Sequence, residues 1–170
     1  MIIELASVGK VAKDIAIVFD PAEIDLEGEN ATLSDKAEFA GETQMVEGKA
    51  HVRGTVRAYL LLNCTRCLEP IDKDVEVSFD DVFVDASEEP KTDETEVSAG
   101  ELDESLVIDG KIDMAEVVRE QILLALPDSV FCKEDCKGLC PKCGANRNLI
   151  DCKCADNEID PRWAALKNLN

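Results

Sequence analysis

Eight cysteines carry the clearest chemistry in this sequence of 170 residues. They form four close pairs, first to fourth in chain order: Cys64 with Cys67, Cys132 with Cys136, Cys140 with Cys143, and Cys152 with Cys154. A Cys-x-x-Cys turn lets two thiolates converge on one metal ion, and tetrahedral Zn²⁺ takes four such ligands. The spacing therefore predicts two zinc ions, each bound by four of these cysteines. Four thiolates leave no open coordination position, so the predicted ions are structural.

The sequence does not decide how the four pairs are divided between two sites. We favour the third and fourth pairs as one site, because eight residues separate them and a short loop loses little entropy on closure. The first and second pairs would then share the other ion across a long loop. The alternative groups the second pair with the third and the first pair with the fourth.

The same thiols allow a function of another class, that of a thiol redox or iron–sulfur protein. Cys64-Thr65-Arg66-Cys67 has the spacing of a redox pair, but it lacks the usual position at the start of a helix after a parallel strand. Four cysteines also bind iron–sulfur clusters, and the ligand type alone does not separate iron from zinc. We favour structural zinc and keep the redox or iron–sulfur function as the alternative.

The composition indicates a cytoplasmic protein with an aliphatic core. Hydrophobic residues make up 45% of the chain but aromatic residues only 4%, so aliphatic side chains must fill most of the core. No segment reaches the roughly 18 apolar residues of a membrane span, and the first residues lack the pattern of a signal peptide. We therefore expect a cytoplasmic location, where thiols stay reduced, and no membrane partner.

The charge of the chain is strongly negative but unevenly distributed. A formal net charge of −19 argues against broad nucleic-acid binding, which depends on lysine and arginine contacts to phosphates. Nine acids and one base lie between Asp85 and Glu104, whereas residues 128–170 carry seven acids and seven bases. Low hydrophobicity and high charge predict a mobile acidic loop over residues 86–104.

The first half of the chain alternates as strands do. Apolar or small side chains recur at every second position from Ala50 to Leu62, and a second alternating run follows from Ile71 to Phe79. These runs flank the first cysteine pair, so they predict an antiparallel hairpin with the cysteines at its turn. Residues 15–19 and 37–47 are further candidate strands.

The second half of the chain contains two predicted helices. Asp113 is a good N-cap, Glu116 completes a capping-box pattern, and Pro127 ends the first helix. Asp160 and Pro161 begin a short final helix, with proline at its favoured first position.

These elements indicate an α+β fold with a mainly antiparallel sheet or partly open barrel, one central helix and a cysteine-rich, zinc-ribbon-like C-terminal extension ending in a short helix. We predict a β-rich domain with the cysteine hairpin (1–85), the acidic mobile loop (86–104), a strand and helix that complete the core (105–127), and the metal-binding tail with its terminal helix (128–170). No internal repeat is evident.

Basic side chains share one face of the first hairpin strand: Lys49, His51, Arg53 and Arg57. This stripe is a candidate RNA-contacting surface. The next strand carries acids on the same face, however, and cross-strand pairs of opposite charge contribute about 0.2–1 kcal/mol each. We therefore expect the stripe to be neutralised within its own sheet. Arg66, between two thiolates, either offsets the charge of a metal centre or reaches outward to a partner.

No set of catalytic residues is evident in the sequence. The chain contains one histidine, no phosphate-binding glycine loop and no G-x-S-x-G motif. Its carboxylates gather in the acidic loop and on the polar face of the sheet, not in an apolar setting that would shift their pKa. We expect a non-enzymatic protein without a small-molecule substrate.

Four separated motifs resemble the YceD family, also called the large ribosomal RNA subunit accumulation proteins: LNCTRCLEP, LALP, CKEDCKGLCPKCGANRN…CKC and DPRWAALKNL. The resemblance covers roughly residues 40–170 and marks Cys64, Arg66 and Cys67 as the family's C-x-R-C element. It implies a cytoplasmic, non-enzymatic bacterial protein needed for normal levels of the large-subunit (23S) ribosomal RNA, through ribosome biogenesis.

Two hypotheses for the partner follow from the resemblance and the charge. In one, the protein binds a large-subunit ribosomal RNA precursor through Arg53, Arg57 and Arg66 together with the balanced tail. In the other, it holds a basic ribosomal or assembly protein against its acidic surface.

Overall fold

The computed structural model describes residues 1–26, 31–86, 104–154 and 162. Its elements, in chain order, are β1 (Ile2–Glu4), a 3₁₀ turn (Leu5–Ser7), β2 (Lys13–Phe19), β3 (Ala31–Leu33), β4 (Ala37–Val46), β5 (Lys49–Asn63), β6 (Pro70–Asp85), β7 (Glu104–Val107), β8 (Lys111–Asp113) and α1 (Met114–Leu124). The chain divides into two compact units. We call Met1–Asn63 with Pro70–Asp128 the sheet unit, and Cys64–Glu69 with Ser129–Asn170 the cysteine unit.

A six-stranded sheet forms the centre of the sheet unit. Its strand order is β2-β4-β5-β6-β7, and β3 pairs with β5 outside this path. All of these pairings are antiparallel except that of β6 with β7, which is parallel. Strands β1 and β8 form a separate antiparallel pair. Within the described residues the fold is therefore mostly sheet with one α-helix, as predicted, and the sheet does not close into a barrel.

The predicted antiparallel hairpin is formed by β5 and β6. Asn63 at the end of β5 pairs with Pro70 at the start of β6, and the alternation predicted for β5 appears as buried and exposed positions. Val52, Val56 and Leu60 are completely buried on the core side. The burial of each such side chain stabilises the fold by about 1.5–3 kcal/mol.

Helix α1 begins as the sequence predicts, although the capping box does not form. The Asp113 carboxylate accepts a hydrogen bond from the Ala115 backbone N–H at 3.0 Å. The side chain of Glu116 instead contacts the Arg119 guanidinium at 3.0 Å. The buried residues of α1 recur at helical spacing and form one face: Met114, Val117, Val118, Gln121 and Ile122.

Two predictions concern residues that lie mostly outside the part of the chain that the structure describes. Residues 87–103 of the predicted acidic loop lie outside the described residues, as do all residues of the predicted final helix except Arg162. Glu104, at the end of the predicted loop, belongs to β7. Among the described helices, none is long and apolar enough to cross a membrane.

Candidate metal centres

Two groups of four cysteine sulfurs form among the described residues. Group 1 contains Cys64, Cys67, Cys132 and Cys136, and group 2 contains Cys140, Cys143, Cys152 and Cys154. Within each group, the four sulfurs lie within 4.8 Å of one another. Both groups lie inside the cysteine unit. This is the grouping favoured from loop length, and the alternative grouping is not formed.

The spacing of the group 1 sulfurs fits a four-coordinate centre. The sulfur of Cys64 lies 3.8 Å from that of Cys136, and the sulfur of Cys67 lies 3.5 Å from that of Cys132. A tetrahedron of sulfurs at about 2.3 Å from a zinc ion has edges of about 3.8 Å. A disulfide would require a sulfur–sulfur distance of about 2.05 Å. All eight cysteines are free thiols, so each group offers four donors to one ion.

The first cysteine pair is held in a tight six-residue loop, Cys64 to Glu69. The Leu68 backbone N–H donates to the Cys64 carbonyl at 2.9 Å, and the Cys64 N–H donates to the Glu69 carbonyl at 2.8 Å. Leu68 has a φ of 61°, in the left-handed region that disfavours side chains with a Cβ. The loop therefore turns the two thiols to the same side at the cost of backbone strain in Leu68.

The third pair lies in a loop with the same backbone hydrogen bonds. The Gly144 N–H donates to the Cys140 carbonyl at 2.8 Å, and the Cys140 N–H donates to the Ala145 carbonyl at 2.8 Å. Gly144, like Leu68, has a positive φ, here 71°. The cysteine unit thus contains a structural repeat of six residues. The repeat is not evident from the sequence, because the position that is Gly144 in one copy is Leu68 in the other.

Backbone N–H groups favour the thiolate form of Cys64 in group 1 and of Cys140 in group 2. Burial alone would raise the pKa of Cys64, but the backbone N–H groups of Cys132, Cys67 and Arg66 lower this pKa to about 6.

In group 2, the backbone N–H groups of Cys143 and Lys142 lower the pKa of Cys140 to about 6. Both thiols are the first cysteine of a six-residue loop, and we call these loops, residues 64–69 and 140–145, the first and second knuckle.

Cys132 in group 1 and Cys154 in group 2 resist ionisation when no cation is present. Burial, together with neighbouring thiols, raises the pKa of Cys132 to about 12. Hydrogen bonds with Cys143 and Cys140 raise the pKa of Cys154 to about 12. Four thiolates at this spacing repel one another, and a bound divalent cation removes that repulsion. The electrostatics of both groups therefore favour a cation as the ligand.

Asn148 contacts a sulfur of group 1, and no pattern in the sequence predicted this contact. Its side-chain N–H donates to the Cys136 sulfur at 3.3 Å, and this bond lowers the pKa of Cys136. Its carbonyl oxygen accepts from the Lys137 backbone N–H at 2.9 Å. Asn146 receives a second bond from the Asn148 side chain at 3.0 Å and donates to Glu69 at 3.0 Å. The loop after the group 2 knuckle thereby orients a ligand of group 1.

Arg66 points into the cysteine unit. Its guanidinium donates to the Cys136 carbonyl at 3.1 Å and lies 4.1 Å from the ring centroid of Phe131. It also contacts the Glu134 carbonyl at 3.4 Å. These contacts join the loop of the first cysteine pair to the tail segment that carries the second pair.

The basic stripe of β5 is paired with acids inside the sheet unit. Arg57 contacts Glu76 on β6 at 3.0 Å, as the cross-strand register predicts. His51 lies 3.3 Å from Asp80.

The two remaining stripe residues pair with other strands. Arg53 contacts Glu42 on β4, and Lys49 contacts Glu104 on β7. The predicted neutralisation therefore occurs, with acids from three strands rather than one.

The chain is similar to proteins of one family. A family model described as large ribosomal RNA subunit accumulation protein YceD matches residues 52–170. Protein Rv2926c of Mycobacterium tuberculosis is 36% identical over 117 residues, which cover 68% of this chain and 53% of the relative. The match thus spans about half the length of the mycobacterial relative.

Two further relatives extend the comparison beyond mycobacteria. Protein YlbN of Bacillus subtilis is 32% identical over 132 residues, covering 73% of this chain and 72% of the relative. An Arabidopsis thaliana protein named large ribosomal RNA subunit accumulation protein YCED homolog 1, chloroplastic, is 28% identical over 142 residues, or 71% and 44% of the two chains. No solved structure shows significant similarity to the chain.

Proposed function

Because the chain belongs to the YceD family of large ribosomal RNA subunit accumulation proteins, we propose that it supports the accumulation of 23S ribosomal RNA in ribosome biogenesis. The family match carries this proposal, since it covers most of β5, all of β6 and α1, and both cysteine groups. The proposal places the protein in the cytoplasm of a bacterial cell, where ribosomes are assembled and thiols stay reduced.

Each cysteine group is proposed to hold one structural zinc ion. Group 1 would use Cys64, Cys67, Cys132 and Cys136, and group 2 would use Cys140, Cys143, Cys152 and Cys154. The free thiols, the sulfur spacing and the two knuckle loops support this assignment. A closed set of four thiolates leaves no position for a metal-bound water, so such ions stabilise the fold of the cysteine unit rather than activate a substrate. We therefore propose that the protein acts as a binding factor and not as an enzyme.

The candidate RNA-binding arginines are engaged inside their own units. Arg53 and Arg57 are paired with Glu42 and Glu76, and Arg66 donates to backbone carbonyls. An RNA contact by these side chains would have to replace those interactions. We therefore propose a basic ribosomal or assembly protein as the partner.

The charge of the cysteine unit supports a protein partner as well. Its described segments, 64–69 and 129–154, contain six basic and four acidic side chains. Two zinc–tetrathiolate centres would add a formal charge of about −4. The zinc-loaded segments would then carry no net positive charge for phosphates.

The function is tested by deleting the gene in its host and restoring it from a plasmid. We expect the ratio of 23S to 16S ribosomal RNA to fall on deletion and to recover with the wild-type gene. An unchanged ratio in the deletion strain would overturn the proposed function. Normal RNA levels restored by a chain lacking both cysteine groups would overturn the structural role of the centres.

A further inference from the structure

The outer face of the sheet presents more acids than bases. We define this face by paired positions on four strands: Asp14, Ala16 and Val18 on β2, Glu38, Ala40 and Glu42 on β4, Arg53, Thr55, Arg57, Tyr59 and Leu61 on β5, and Asp72, Asp74, Glu76, Ser78 and Asp80 on β6. Residues paired across a ladder point to the same side of a sheet. These positions carry seven acids and two arginines. Lys49 and His51 lie farther along the same side of β5 and pair with Glu104 and Asp80.

A groove crosses this face beside one charged row, which consists of Asp14, Glu42, Arg53 and Asp80. Its floor is a row of small side chains, Ala16, Ala40, Thr55 and Ser78, which are register partners on the four strands. The groove has a volume of about 870 Å³. Glu38, Arg57 and Glu76 form the next charged row, four residues farther along the strands, or about 13 Å away. The distance between the two rows accommodates a single polypeptide segment.

Both arginines of the face are already neutralised, whereas several of its acids are not. Arg53 pairs with Glu42 and Arg57 with Glu76. Asp14, Asp72 and Asp74 have neither a side-chain hydrogen bond nor an ion pair with any described residue. The negative potential of the face is therefore available to a cationic ligand.

Large apolar side chains lie exposed among these acids. Val18 is 56% exposed, Tyr59 is 52% exposed and Leu61 is 39% exposed. By register, Tyr59 lies beside Asp74 and Leu61 beside Asp72. Exposed aliphatic and aromatic groups between acids suit a peptide that combines apolar and basic side chains.

We infer that the outer face binds a lysine- and arginine-rich segment of a protein partner, with small apolar side chains of that segment in the groove. This inference rests on the proposed function and assigns its partner contact to one surface. The sign of the charge disfavours RNA as the occupant, because phosphates would meet the same acids.

The test uses a fluorescent 12-residue peptide of alternating lysine and alanine and the full-length, metal-loaded chain. In the variant with Asp14→Asn, Asp72→Asn and Asp74→Asn, we expect the affinity for the peptide to fall about tenfold, since each exposed charge pair contributes about 0.2–1 kcal/mol. Ala40→Phe, which keeps the charge but fills the groove, should weaken binding as well. A matched control carries Glu4→Gln, Glu47→Gln and Asp128→Asn, which remove the same charge away from the face.

The outcomes separate this surface from the alternatives. Equal losses in the two triple variants would show general charge attraction and overturn the inference. Unchanged binding by Ala40→Phe would overturn the groove as the contact. Tighter binding of a 12-residue oligouridine than of the peptide would favour RNA, and concentration-dependent dimers broken by Ala40→Phe would favour a second copy; either result overturns the inference.

The same variants also distinguish this inference from the proposed function. If the wild-type chain and the outer-face variant restore 23S ribosomal RNA equally in the deletion strain, the outer face is not the partner contact, and the proposed function is retained. If deletion leaves the RNA unchanged, the function fails, and the peptide titration still decides whether the face binds basic segments. We expect the wild-type chain to restore the RNA and the outer-face variant to fail, with the matched control behaving as wild type.

Discussion

Gly41 lies directly opposite Gly54 across β4 and β5, and the ring of Phe39 packs against both residues. A Cβ on Gly54 would lie 2.5 Å from the Ala40 carbonyl oxygen and 2.7 Å from the Gly41 Cα. Both obstacles are backbone atoms, which a strand cannot move without losing ladder hydrogen bonds. The glycine pair therefore permits the close approach of the two strands beneath the groove of the outer face.

The first prediction is that Gly54→Ala destabilises the sheet unit by about 3 kcal/mol, as overpacking against backbone does. Urea unfolding followed by circular dichroism measures the change. Gly9→Ala is the matched control, since a Cβ there meets nothing closer than 4.0 Å. Equal stability of Gly54→Ala and the wild type would contradict the close approach.

The second prediction concerns metal content. Protein purified without added metal should contain two zinc ions per chain, and Cys136→Ser and Cys140→Ser should each lose one of them, because these cysteines belong to different groups. Elemental analysis measures the ions. Iron with visible absorption would support the iron–sulfur alternative, and metal-free thiols cycling with disulfides would support the redox alternative.

The third prediction compares the residues with positive φ in the two knuckle loops, Leu68 and Gly144. Leu68→Gly should stabilise the zinc-loaded chain by up to about 1 kcal/mol, because it removes a Cβ from the left-handed region. Gly144→Leu places the same strain in the other loop and should destabilise the chain by about 1–2 kcal/mol. Thermal unfolding in the presence of zinc compares the two variants. Effects of the same sign would show that the loops are not equivalent.

The fourth prediction concerns the second-sphere amide. Asn148→Ala removes the hydrogen bond to the Cys136 sulfur and should lower the zinc affinity of group 1 by about 10–100-fold, as loss of a second-sphere partner does. Titration with a competing chelator should then release one of the two ions early. Leu149→Ala, at a side chain that is 77% exposed, is the control and should leave both affinities unchanged.

The parts of the fold with strict periodicity were predictable from the sequence. The alternation on β5 and the cysteine pair between the two runs predicted the hairpin, since a one-residue slip would expose every apolar side chain of that face. The parallel pairing of β6 with β7 carries no such signal, because β7 has four residues and its partner is chosen by tertiary contacts. The openness of the sheet likewise depends on which strands meet, and not on the pattern within any of them.

The candidate sites were predictable as ligand sets but not as geometry. Cysteine spacing and loop length favoured the grouping that the structure has, because both depend on distance along the chain. The contacts of Asn148 and Arg66 with Cys136 join residues that are separated in sequence, so no local sequence pattern indicates them. The pairing of Arg53 with Glu42 was missed for the same reason, since β4 had no predicted register.

The final prediction is a pH effect at Asp81, which receives a hydrogen bond from Gln121 of α1 at 3.0 Å. Partial burial raises the pKa of Asp81, and repulsion by Glu120 adds to the rise. Because this pKa is higher in the folded than in the unfolded chain, the protonated form favours folding, and that contribution is lost as the pH rises through the folded pKa. Asp81→Asn should therefore stabilise the sheet unit at pH 7, by an amount that shrinks as the pH falls. Urea unfolding of the metal-loaded chain at pH 7 and pH 5 measures both effects, and a variant less stable than wild type at pH 7 would contradict the prediction.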